Sequence, residues 1–65
     1  MPSSVISSII YRASSATLRI VYVSGMVYDY KKVPEKVYNA MKTALSKGSF
    51  LNKYIKGKYE FEKIE

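Results

Sequence analysis

The sequence predicts a small α+β domain, an antiparallel three-stranded meander with one main helix and one short helix on one sheet face. A fourth edge strand or an extended tail follows. Three observations predict this class. Residues 5–30 are rich in β-branched and aromatic side chains and are broken twice by small residues. Residues 33–45 repeat apolar side chains at four-residue spacing, and a shorter helical pattern follows Ser46-Lys47-Gly48. With 65 residues, the chain forms one domain over positions 1–65. A domain of this size buries only about 60% of the surface its unfolded chain exposes, so its core is marginal without supplement.

The first strand is expected from Val5 to Arg12, with Ala13-Ser14-Ser15-Ala16 breaking it and Thr17 to Tyr22 resuming as the second. The next break falls at Ser24-Gly25, where the pairing can be argued. If Val23-Ser24-Gly25 form a three-residue loop with Gly25 left-handed, Tyr22 lies opposite Met26, Ile20 opposite Tyr28 and Leu18 opposite Tyr30. Leu18, Ile20, Tyr22, Tyr28 and Tyr30 then share one face. A two-residue loop would send the two later tyrosines to the other face.

Val33-Pro34 opens the main helix, with Pro34 at the first helical position and Glu35 near the positive end of the dipole. Val37, Met41 and Leu45, with Ala40 and Ala44 beside them, make one apolar stripe. The helix is expected to end near Ser46, with Gly48 in the left-handed turn after it. A short helix is expected from Ser49 to Lys56, capped by Ser49 and stopped by Gly57. Its inward residues are Phe50 or Leu51 with Tyr54 and Ile55. Lys58 to Ile64 alternate as an edge strand or tail.

Cysteine and histidine are both absent, which removes disulfides and the usual zinc, iron-sulfur and haem ligand sets. The acids Asp29, Glu35, Glu60, Glu62 and Glu65 are not spaced as a metal loop, so neither metal nor cofactor is expected. Without a histidine base, a cysteine nucleophile or paired carboxylates, no enzyme is expected. Ser46 and Lys47 are adjacent, a poor geometry for a serine-lysine dyad. No cationic leader or membrane-length apolar run occurs, so a soluble cytoplasmic protein without membrane contact is expected.

The net charge of +6 is unevenly placed. Residues 31–58 hold eight lysines against one acid, a local balance of +7, while residues 59–65 carry −2. Such one-sidedness attracts polyanions, although a lysine-rich surface also serves solubility alone. The candidate nucleic-acid or anion site is Ser46, Lys47, Gly48, Ser49, Asn52, Lys53, Tyr54, Lys56, Lys58 and Tyr59. Turn residues lead there into a helix start whose free N–H groups could hold a phosphate, or Ser49 simply caps the helix. The glycine spacing is not that of a P-loop. Seven of the nine aromatics are tyrosines. Tyr54 and Tyr59 sit among lysines as stacking candidates, whereas Tyr22, Tyr28 and Tyr30 are read as amphipathic core. Asn52 is a poor mid-helix residue that either bonds local backbone or faces a ligand.

Several short pieces in order carry a family resemblance. They are Ser3-Ser4 with Ile6, Ile9 and Tyr11; Leu18, Ile20, Tyr22 and Gly25; Tyr28-Asp29-Tyr30; Val33-Pro34; Ser46-x-Gly48-x-Phe50-x-Asn52; and Ile55-Lys56-Gly57-Lys58-Tyr59. Over nearly its whole length the chain resembles the KTSC domain, named for its place at the C-terminus of some lysyl-tRNA synthetases. Arg12 stands where the family pattern usually turns acidic, and Tyr59-Glu60-Phe61 replaces a usual Tyr-Pro-Tyr. The resemblance implies RNA as a partner, partly through the synthetase fusion, and carries no assigned activity.

Two functional expectations follow. One is a non-catalytic module contacting RNA or a single strand through the lysine- and tyrosine-rich half. The other is a small homo-oligomer holding a phosphorylated small molecule or nucleotide near Ser46, Gly48 and Asn52, with Val5, Ile10, Val21 or Val23 at the interface. A plain partner-protein module is the third reading.

Overall fold

The computed structural model describes residues 5–65, so the Ser3-Ser4 part of the family pattern lies outside the described residues. Four strands form one antiparallel sheet in the order β1 (Ile6–Arg12), β2 (Thr17–Tyr22), β3 (Val27–Tyr30) and β4 (Phe61–Lys63). Between β3 and β4 come α1 (Glu35–Lys42) and α2 (Lys47–Phe50), which runs directly into a π-helical turn, Leu51–Ile55.

The β2–β3 pairing follows the three-residue loop. Gly25 has φ +100°, and the Tyr22 N–H donates to the Met26 carbonyl at 2.8 Å. Leu18 faces Tyr30 and Ile20 faces Tyr28. On the other side, β1 brings Tyr11 opposite Leu18 and Ile9 opposite Ile20, with a bulge between Ile6 and Ser8. The tail is a strand, since Phe61 pairs with Tyr30 and Lys63 with Tyr28.

One sheet face therefore carries Leu18, Ile20 and Tyr30, which form the core with Val33, Met41, Leu51 and Ile55 from the helical layer. Both helices thus pack on this face. The Tyr11 hydroxyl donates to the Val33 carbonyl at 2.6 Å, and its ring stacks on Tyr38 of α1 with centroids 5.1 Å apart. The opposite face is held by a two-pronged ion pair, Arg19 Nε to Asp29 Oδ1 at 2.8 Å and Arg19 Nη2 to Asp29 Oδ2 at 3.1 Å. The Arg19 guanidinium keeps the Asp29 carboxyl below the usual carboxylate range.

The helical layer departs from expectation in five places. Pro34 is the N-cap in extended backbone (φ −64°, ψ 150°), one position before the helix proper. α1 ends at Lys42, not near Ser46, and Leu45 is fully exposed while Ala40 also faces solvent. Thr43 closes α1 by turning its hydroxyl back to the Ala40 carbonyl at 3.2 Å, a local bond that competes with helix extension. Gly48 takes no left-handed turn; it lies inside α2, and the left-handed glycines are Gly25 and Gly57. Finally, Ser46 and not Ser49 caps α2, because the Ser46 Oγ accepts from the Ser49 N–H at 3.3 Å. Tyr54, expected inward, is 55% exposed.

Candidate nucleic-acid interface

The segment after α2 is fixed by two side chains. Leu51 and Ile55 are buried in the core, and the Lys56 N–H reaches five residues back to the Leu51 carbonyl at 2.8 Å. Pinning both ends of the turn inward leaves Asn52, Lys53 and Tyr54 between them exposed. Asn52 makes no side-chain hydrogen bond to any described residue. Of its two alternatives, local backbone bonding is therefore not the one adopted. Gly57 at φ +78° then turns the chain, and Lys58 and Tyr59 donate back to the Ile55 carbonyl at 3.0 and 3.3 Å.

The ten sequence-predicted residues divide among separate surfaces. Gly48, Asn52 and Lys56 line a groove of about 580 Å³ against Val5 and the hairpin end Tyr22, Val23 and Ser24. Lys58 and Tyr59 line a smaller cleft of about 220 Å³ with Lys31, Lys32 and Glu60. Lys53 and Tyr54 border neither; Tyr54 leans on Phe50 with ring centroids 4.8 Å apart. Ser46 is occupied in capping, and Lys47 and Ser49 belong to α2 outside both clefts.

A third cleft, of about 440 Å³, joins the first at Tyr22 and Lys56 and is lined further by Met26, Tyr28, Tyr30, Gly57 and Phe61. Sequence reasoning placed Tyr22, Tyr28 and Tyr30 on the core face and stopped there. The missed signal is the shortness of the helical layer, which covers Leu18 and Ile20 fully and leaves Tyr22 and Tyr28 half-buried. Burial pushes the Tyr30 hydroxyl up to about 12 and also raises that of Tyr22, so both are neutral phenols at physiological pH.

The lysines are largely uncompensated. Within residues 31–58 only Lys31 forms an ion pair among the described residues, with Glu62 at 3.4 Å. Lys42 sits 5.3 Å above the Tyr38 ring, a cation–π placement that leaves its charge in place. Among the described residues no three acidic side chains gather where a metal ion could be held, and no helix is long and apolar enough to cross a membrane.

Sheet order, one-sided helical layer and cationic second half together define a small α+β domain with a lysine-bordered groove at the hairpin end. The chain belongs to the KTSC domain family, whose sequence profile matches residues 2–59. It is similar to a KTSC domain protein from Yersinia pestis of known crystal structure, with a TM-score of 0.86 and 37% identity, covering 100% of this chain and 94% of that one. It is also 46% identical over 61 residues to a lysine–tRNA ligase of Nostoc punctiforme, covering 94% of this chain and 11% of that protein. A lysine–tRNA ligase of Trichormus variabilis is 41% identical over 54 residues, covering 83% of this chain and 10% of its own length. The chain thus spans about a tenth of these curated relatives.

Proposed function

We propose that this chain is a non-catalytic, cytoplasmic module that contacts RNA or another single strand through Lys47, Lys53, Lys56 and Lys58, with Asn52, Tyr54 and Tyr59 alongside. One observation carries this reading. Of the eight lysines in residues 31–58, all but Lys31 lack an acidic partner among the described residues. Unpaired lysines that neutralise phosphates release the counterions condensed on the nucleic acid, which is the sequence-independent source of its affinity. The exposed Tyr54 and the unbonded Asn52 add a stacking face and a hydrogen-bonding amide. Similarity to segments of proteins named for a tRNA supports RNA over DNA. Fluorescence anisotropy with tRNA and short oligonucleotides at low and high salt tests the reading. Absence of binding at low salt refutes it.

A second reading rests on the 580 Å³ groove beside Gly48, Asn52 and Lys56. Its volume suits a phosphorylated small molecule or nucleotide held by a homo-oligomer. Solution mass, together with a nucleotide titration followed at the Gly48 and Asn52 amides, separates it from the first.

A further inference from the structure

The cleft beneath Lys56 has a construction that a general cationic surface does not need. Its floor is a continuous run of rings. Tyr22 meets Tyr28 edge-on at 5.6 Å, Tyr28 meets Phe61 at 5.4 Å, and Phe61 meets Tyr30 at 5.6 Å. Two large apolar side chains there stay in water, Phe61 at 57% and Met26 at 37% exposure. The hydroxyls of Tyr22, Tyr28 and Tyr30 bond no described residue, and among the described residues no side-chain polar atom is buried without a partner. These phenols therefore open onto the cleft. Along the rim lies Lys56, without an ion-pair partner among the described residues. Gly57 beside it has no heavy atom within 4 Å of where a Cβ would stand, so the rim is open.

A floor of tilted aromatic rings, a cation and several hydroxyls together select one kind of ligand. An uncharged apolar group would leave Lys56 unused, and inorganic phosphate would leave the rings unused. A planar heterocycle with an adjacent phosphate uses both. The cleft volume of about 440 Å³ falls within the range of small-ligand sites, about 300–1,000 Å³. We propose that this cleft takes one unstacked base of a single strand, its ring on the exposed Phe61 with Tyr28 at its edge, and the neighbouring phosphate at Lys56. The proposal rests on the nucleic-acid reading above and adds to it a defined base site that includes residues of β3 and β4.

The test compares a fluorescein-labelled hexaribonucleotide with an abasic sugar-phosphate strand of the same length, using the full chain. One stacked base lost corresponds to about fivefold to 150-fold in affinity, so the base-bearing strand should bind tighter by that factor. Phe61→Leu, which keeps apolar volume at an exposed site, should erase the preference. Lys56→Gln should weaken both strands alike. As a readout independent of variants, amide shifts on adding the hexanucleotide to the native chain should centre on Met26, Tyr28, Gly57 and Phe61.

The outcomes separate the claims. Binding without a base preference, or a preference unchanged in a folded Phe61→Leu chain, overturns the base site while the cationic interface stands. Amide shifts confined to other residues do the same. A free nucleoside monophosphate that binds as tightly as the strand overturns the strand as occupant. No binding of any strand overturns both readings.

Discussion

If Lys47, Lys53, Lys56 and Lys58 each meet one phosphate, the salt dependence of binding has a calculable slope. For single strands the slope of log affinity against log salt is about −0.7 per neutralised phosphate. Four lysines give about −2.8, so raising salt from about 50 to about 200 mM weakens binding about 50-fold. The count rests on the structure, because none of the four has an ion-pair partner among the described residues whose release would cancel the gain. Lys58 shares its cleft with Glu60, so it sets the lower bound. With Lys58 silent the slope is about −2.1 and the loss about 18-fold. Anisotropy titrations of a labelled oligonucleotide at four salt levels measure this directly. Lys56→Gln should flatten the slope by about 0.7, whereas Lys36→Gln on the exposed side of α1 should leave it unchanged. A slope shallower than about −1, or equal flattening by both substitutions, would refute the assignment of the interface to this segment.

Three further outcomes test the fold. Ser46→Ala removes the side chain that caps α2 and should cost about 0.5–1 kcal/mol by thermal melting, while Ser49→Ala costs less; the reverse ranking would return the cap to Ser49. Ile55→Ala leaves a cavity where a fully buried side chain stood and should cost about 2–5 kcal/mol. That is a large part of the whole stability, about 3–10 kcal/mol for a chain this length, whereas Leu45→Ala, at a fully exposed position, should shift stability by less than about 0.5 kcal/mol; circular dichroism during urea unfolding distinguishes them. Because Arg19 lowers the Asp29 carboxyl below its ordinary 3.8, its stabilisation is complete above that value and fades as pH falls through the depressed one. Unfolding curves between about pH 7 and pH 2 should therefore show an acid-labile component that Asp29→Asn lacks, and identical profiles would exclude the pair as its source.

The sheet was legible because its rules are local. Once Gly25 is given the left-handed position, the loop length fixes the register, and period-two alternation then puts Leu18, Ile20, Tyr28 and Tyr30 on one face. The end of α1 was not legible for the opposite reason. Val37, Met41 and Leu45 continue the four-residue spacing without a breaker, so nothing in the pattern distinguishes Met41, fully buried, from Leu45, fully exposed. What stops the helix is the back-bonded Thr43 hydroxyl and the placing of Leu51 and Ile55 in the core that a longer α1 would compete for. Capping failed on a similar ambiguity. Ser46 and Ser49 stand three apart, and either satisfies the N-cap preference, so only the hydrogen bond itself decides. The ring-lined cleft was half legible, since sequence assigned its tyrosines to a face but could not say how far the helices would cover that face.

The helical layer covers only part of the sheet face on which it packs. Leu18 and Ile20 on β2 lie beneath the helical layer and are completely buried, whereas Phe61 on the β4 edge stays largely in water. Lys56 stands at the seam between the covered and open halves, bordering both grooves. Its position depends on the π turn. The turn closes through the Lys56 N–H to the Leu51 carbonyl, five residues apart, where an α-helix would bond four apart. Such turns are rare and recur as single-turn bulges at functional sites. Leu51 and Ile55, four residues apart, both lie in the core, as they would on an α-helix, and the turn releases the chain into extended backbone at Lys56. The turn whose two ends, Leu51 and Ile55, close the core thus also sets Lys56, the cation bordering both grooves, so if the proposed interface holds, a substitution that restores regular α geometry there should weaken oligonucleotide binding before it lowers the stability of the sheet.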